Sequence, residues 1–302
     1  MDSLVIRFFV RISRPAYLLS GVLVYALGAG IARYLGHPLD WSIYTLGQFW
    51  VVALQLGAHY LAAYFLSPVD PKNPERLPLP GKIDKPSDGL RREIILWPAF
   101  AALAAATSIT IMLIRSGSTN GVIIFMMGIT ALGACLYSIP PLRLATSGYG
   151  ELTISIVMAN LIPALAFSLQ AGELHRLLAM TTFPLTMLHL AMLLAFQLPA
   201  YLEDVRHQRQ TLMVRLGWKR GMNLHNLLIL GAFTLIGLAM LFGLPSTVAL
   251  PVFFVLPLGL FQIWYMTRIA AGAKPNWRAL NLIAALLFAL TAYLFTFEYW
   301  VH

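Results

Sequence analysis

Runs of about twenty apolar residues recur along this chain between short polar breaks, and no other feature limits its fold as strongly. A bilayer hydrocarbon core about 30 Å thick needs about 20 such residues in one helix. The runs fall near 15–34, 44–66, 95–114, 120–139, 151–170, 178–201, 221–243, 247–267 and 280–299. The sequence therefore predicts an all-α integral membrane protein with nine transmembrane helices. With 59% of its 302 residues hydrophobic and 11% charged, a water-soluble globule of this length could not hide its apolar groups. Arg7, Arg11 and Arg14 precede the first run, which continues at spanning length without a small-residue cleavage site, so the first helix is expected to be retained. The single cysteine, Cys135, lies in an apolar run and offers neither a disulfide nor a thiolate metal site; it reads as a small core residue.

The formal charge of +9 has two possible sources, nucleic-acid binding or loops that face anionic lipid. With the N-terminus inside, 18 of the 21 Lys and Arg residues fall on the cytoplasmic side, and only Arg33, Arg115 and Arg176 fall on the other. That asymmetry is the positive-inside rule. It predicts a cytoplasmic N-terminus, an external C-terminus and no nucleic-acid partner; the membrane is expected to be the inner or cytoplasmic membrane of a bacterium or archaeon.

Two long loops, 67–94 and 202–220, hold most of the polar chemistry. Each opens on a carboxylate where an apolar run ends and continues into clustered cations. The repetition suggests a single polytopic domain with pseudo-repeat halves, about 1–140 and 141–302, facing one pocket. Arginine binds phosphate bidentately, a carboxylate can hold Mg²⁺ against phosphate oxygens, and an apolar bundle beneath suits an isoprenoid tail. Basic cytoplasmic loops are also expected of most membrane proteins, so charge alone does not choose between the two.

Arg14-Pro15 opens the first run; Tyr137-Ser-Ile-Pro-Pro-Leu-Arg143 precedes Gly148-Tyr-Gly-Glu151; Thr211-Leu-Met-Val-Arg-Leu-Gly217 follows the sixth run. Asp70, Asn73, Arg76, Pro78 and Gly81 stand at steps of three, three, two and three residues. In this order, along nearly the whole chain, these segments resemble the UbiA superfamily of membrane prenyltransferases. The resemblance implies nine helices around a central cavity with a cytoplasmic cap, and a prenyl diphosphate held by Mg²⁺ between two aspartate-rich motifs. Diphosphate leaves poorly until its developing charge is neutralised, so such a site needs several carboxylates to hold metal. Carried over, the resemblance makes Asp70 and Asp204 metal ligands and gives the diphosphate to Lys72, Asn73, Arg76, Arg143 and Arg209.

Most of the family's acidic positions are apolar here. The first motif aligns with Ala62-Ala63, Leu66 and Asp70, and the second with Ala200 and Asp204. Helical residues three and four apart share a face, so these replacements predict an apolar wall and a site reduced to one Mg²⁺ between Asp70 and Asp204. Within the runs, His59, Asn160 and His189 either line a lipid or acceptor pocket or join helices by hydrogen bonds. Three functions are consistent with the residues. The first is a prenyltransferase moving a prenyl group from an isoprenoid diphosphate, or another prenyl lipid, to a lipid-soluble aromatic, quinone-precursor or pigment acceptor. The second is a lapsed relative that binds a quinone, pigment or lipid as a subunit of a membrane complex. The third is a transporter.

Overall fold

The computed structural model describes residues 3–67, 76–77 and 90–302, with side chains over 6–67 and 91–302. Asp70, Lys72 and Asn73 lie outside the described residues, as does the side chain of Arg76. The chain is helical nearly throughout; Arg76–Leu77 (β1) and Leu90–Arg91 (β2) form one short antiparallel pair, with Arg76 opposite Arg91.

Helix α1 (Ser3–Ser13) precedes α2 (Pro15–Tyr34), α3 (Trp41–Leu66), α4 (Leu96–Arg115) and α5 (Gly121–Leu136). Next, α6 (Gly150–Ile156) runs through a π-helical turn, Val157–Leu161, into α7 (Ile162–Ala171). The long α8 (Arg176–Gln197) is followed by the short α9 (Tyr201–Arg206) and α10 (Leu212–Leu216), then α11 (Trp218–Leu241), α12 (Ser246–Val252), α13 (Leu256–Ala270) and α14 (Trp277–Val301). Eight helical stretches of the described residues are long and apolar enough to cross a membrane, and α5 is a shorter apolar ninth. The expected nine-helix pattern is thus present with one short member. α5 stops at Leu136, before the tight Ser138-Ile-Pro-Pro turn, whose prolines cannot continue a helix.

Helix starts follow from local chemistry. The Asp40 carboxylate accepts from the Ser42 and Ile43 amides at 2.8 and 3.1 Å, while Asn120 and Asn276 accept from Ile123 and Ala279 at 3.0 and 3.1 Å. Each satisfies donors that a helix start leaves unpaired. At the other end of α3, the Arg92 guanidinium donates to the carbonyls of Tyr64 and Ser67, which have no partner within the helix.

The helices close into a ring around buried apolar side chains. α14 packs against both α2 and α8, α8 against α11, α2 against α7, and α3 against α4. The indole N–H of Trp300 donates to the Ala26 carbonyl at 2.9 Å, joining the last span to the first. Large apolar residues also cover the outside: Trp97 is 76% exposed and Phe254 85%. Around a whole bundle, such an exterior fits a lipid solvent. Asn160 and His189 join helices inside it. The Asn160 amide donates to Thr182 Oγ1 at 2.9 Å, and His189 Nδ1 lies 2.9 Å from Ser155 Oγ, whose own hydrogen goes to the Glu151 carbonyl.

Candidate functional site

The starts of α2, α4 and α6 and the ends of α3, α5 and α8 meet at one end of the bundle, around a cavity of about 830 Å³. Its walls carry Arg11, Arg14 and Arg209 as cations and Glu151 and Asp204 as acids.

Two of those arginines owe their place to a turn. Arg14, between α1 and α2, has φ 48° and ψ 67°, the left-handed region that residues with a Cβ seldom enter. Pro15 bars Arg14 from the ordinary helical region and supplies the fixed φ of the first turn of α2. The break separates the two helices and leaves both Arg11 and Arg14 on the cavity wall. Strained backbone of this kind persists where its surroundings hold it, often at a binding site.

The floor is a polar knot. Glu151, 6% exposed at the start of α6, accepts the Gln197 amide on Oε1 and the Leu212 backbone N–H on Oε2 at 3.2 Å. Gln197 Oε1 in turn accepts from the Met213 amide at 3.1 Å. One carboxylate therefore fastens α6, the end of α8 and the start of α10. The segments on either side dock as well: Ser147 and Gln210 form a parallel bridge, and Arg215 donates to the Ser147 carbonyl at 3.1 Å while stacking 4.6 Å from the Tyr149 ring centre. The glycines here have steric reasons. Gly148 has φ +81°, and a Cβ on Gly150 would lie 2.6 Å from Ala145 Cα.

Asp204, 7% exposed on α9, lies on the cavity wall with Oδ1 3.8 Å from Arg209 Nη1, and its carbonyl accepts the Arg209 amide at 2.9 Å. Ala62, Ala63, Leu66 and Ala200 line the same cavity. The expected apolar wall is therefore where the sequence placed it.

Behind the cavity, and sharing Arg14, Tyr17, His59, Ala62, Tyr137 and Leu193 with it, lies a narrower apolar pouch between Val51, Leu54, Ala134 and Met158. His59 stands at the junction, its Nδ1 3.0 Å from the Ser13 carbonyl. A carbonyl only accepts, so Nδ1 carries hydrogen, which in the uncharged tautomer leaves the lone pair on Nε2. Among the described residues that nitrogen has no hydrogen-bond partner.

Of the expected site residues, Asp204, Arg209 and His59 come together on this cavity. Arg143 is exposed and stands apart from the lining; Asn160 and His189 bind neighbouring helices. Arg11, Arg14 and Glu151 were not among the expected site residues. Arg14-Pro15 and Gly148-Tyr-Gly-Glu151 stood among the segments of the resemblance, while Arg11 had only its helical step of four from Arg7 as a signal.

The described donors do not fit the two-metal arrangement that the resemblance implies. No group of three or more His, Cys, Asp or Glu residues converges on a metal-sized site among them. Both oxygens of Glu151 are engaged, Asp204 faces a guanidinium, and four motif positions present hydrocarbon.

No protein-family model and no curated protein matches the chain in sequence. Solved structures do match in shape. A UbiA homolog from Archaeoglobus fulgidus bound to Cd²⁺ superposes with a TM-score of 0.63 at 15% identity, over 95% of this chain and 98% of that one. A digeranylgeranylglyceryl phosphate synthase gives 0.63 at 13% identity, over 98% and 97%. The A. fulgidus homolog bound to GPP and Mg²⁺ gives 0.56 at 16%, over 97% and 99%. Each covers the whole bundle rather than a part of it, and this chain has the fold of the UbiA prenyltransferase homologues.

Proposed function

We propose that the chain binds an isoprenoid diphosphate in this cavity and transfers its prenyl group to a lipid-soluble acceptor. One observation carries the reading: a mouth bearing three arginines opens into an apolar pouch of the same bundle, matching a molecule that is anionic at one end and hydrocarbon at the other. A protein of the same fold binds GPP with Mg²⁺. Arg11, Arg14 and Arg209 face the phosphates, and the resemblance adds Lys72, Asn73 and Arg76 of the loop. In the transfer, the bond from prenyl C1 to the diphosphate oxygen breaks with both electrons leaving on the diphosphate. Guanidinium groups neutralise that charge as it develops. C1 then bonds to the acceptor, whose lost proton passes to a base, and His59 Nε2 is placed to take it.

The apolar replacements favour a second reading, a cavity that holds a prenyl lipid, quinone or pigment intact for a membrane complex. Labelled geranyl diphosphate and a membrane lipid extract, added to the protein in lipid nanodiscs, separate the two. Transfer releases diphosphate and moves label onto an extracted lipid, and His59→Ala slows both at unchanged binding. Label that binds and is recovered intact at every time point removes the transferase reading and leaves the second.

A further inference from the structure

The Asp204 to Arg209 pair and the apolar wall beside it bear on how phosphate is held. We infer that this cavity binds its phosphate-bearing ligand without a divalent metal, and that Asp204 serves as the counter-ion of Arg209. The inference rests on the reading of the cavity as a prenyl diphosphate site and concerns what neutralises the phosphates there.

Mg²⁺ takes six oxygens in near-octahedral array, and a protein that fixes it against substrate phosphates usually adds one or two carboxylates beside the bound waters. On the wall where such carboxylates belong, Ala62, Ala63, Leu66 and Ala200 contribute methyl and isobutyl groups. The Glu151 carboxylate is spent on the Gln197 amide and the Leu212 N–H. Among the described lining residues Asp204 is the acid that remains, its side chain 10% exposed against 43% for the Arg209 side chain beside it. A carboxylate that buried requires a cation, and Arg209 already provides one. Asp70, Glu75, Asp84 and Asp88 lie outside the described residues; the described wall offers a metal no carboxylate besides one already paired with a guanidinium.

Arginine can do a metal's work on a phosphate. Its guanidinium is permanently charged, is weakly hydrated for a cation, and offers parallel donors at phosphate spacing. Arg11 and Arg14 reach the cavity from the end of α1 and the α1–α2 turn, and Arg209 from the segment between α9 and α10. An arriving phosphate competes with Asp204 for Arg209. The two assignments of Asp204 therefore differ in sign: removing a metal ligand weakens binding, whereas removing a competing anion strengthens it.

Thermal unfolding and isothermal titration of the purified full chain with geranyl thiodiphosphate, a non-hydrolysable prenyl diphosphate, test this in EDTA and in excess Mg²⁺, with inorganic diphosphate alongside. The expected result is a stabilisation and a Kd that agree within about twofold between EDTA and Mg²⁺, since a ligand selective for the folded state stabilises it by mass action. Asp204→Asn is expected to bind as tightly or up to about tenfold tighter, and Arg209→Gln to bind at least about tenfold more weakly. A wild-type Kd that tightens tenfold or more on adding Mg²⁺ overturns metal independence; this arm needs no variant. Loss of binding in an Asp204→Asn protein that unfolds at the wild-type temperature overturns the counter-ion assignment. If geranyl thiodiphosphate binds under neither condition, the prenyl diphosphate reading itself falls. Inorganic diphosphate binding as tightly as the prenyl compound also removes that reading, because the apolar pouch then contributes nothing.

Discussion

Glu151 holds three segments together through one carboxylate, so its loss has a cost that can be stated. Glu151→Ala leaves the Gln197 amide and the Leu212 N–H without their acceptor in a part-buried place. Unsatisfied donors of this kind cost about 1–3 kcal/mol each, and the variant is expected to unfold several degrees lower in a detergent melt, with Glu151→Gln recovering part of the loss. Arg14→Ala and Arg11→Ala are expected to leave the melting temperature within about two degrees while weakening prenyl diphosphate binding about tenfold each, as titration would show; removal of a charge-assisted contact is worth about 1.5–3 kcal/mol. These side chains also mark the limit of reading from sequence. Glu151 stood out in a motif, yet Gln197 is 46 residues away and Leu212 is 61, and no local spacing joins them. Asp204 was legible as an acid where a span ends; its pairing with Arg209 was not, because it depends on the chain reversing after α9, where Gln208 takes φ 54° and the Arg209 amide returns to the Asp204 carbonyl.

The last turns of α3 and the break after α8 form the wall that separates this cavity from a metal site, and that wall can be rebuilt. Leu66→Asp with Ala200→Asp places two carboxylates on lining positions, one on each element. Phosphate binding in the double variant is expected to become Mg²⁺-dependent, with EDTA weakening it by tenfold or more in a titration; indifference to EDTA would show that the wall positions do not control metal binding. Elements of this kind were the most legible part of the chain. In lipid every backbone group is satisfied within its own helix, so an apolar run long enough to span is nearly sufficient to define one. Boundaries were less legible where capping chemistry decided them. α5 was expected to run to residue 139, but it ends at Leu136, and the seventh run begins at Trp218 because Gly217, at φ +79°, starts the helix earlier than its hydropathy does.

Over the whole molecule, the ring closed by α2 and α14 puts successive spans in alternating directions, with the cavity at the end where α2 begins. The charge asymmetry predicts that this end faces the cytoplasm. Single cysteines at Gly117 and Lys274, in a Cys135→Ser background, test it: a membrane-impermeant maleimide is expected to label position 117 on intact cells and position 274 only after permeabilisation. The reverse pattern would invert the orientation. The number of spans and the family likeness were both legible; the docking of the 143–149 segment against 210–215 was not, because it joins two stretches far apart in the chain through a backbone bridge and a stacked guanidinium.

The knot at the cavity floor also sets an order in time. A ribosome adding about 5–20 residues per second makes Leu212 some 3–12 s after Glu151. Until Gln197 is made, 46 residues after Glu151, the carboxylate has neither of its partners, and until Leu212 follows it has at most one. Only when the sixth span has inserted and α10 has emerged can the amides of Gln197 and Leu212 both reach it. The first six spans can thus be in place before the cavity has a floor, and a nascent chain stalled before Thr211 holds those spans around a chamber that still stands open.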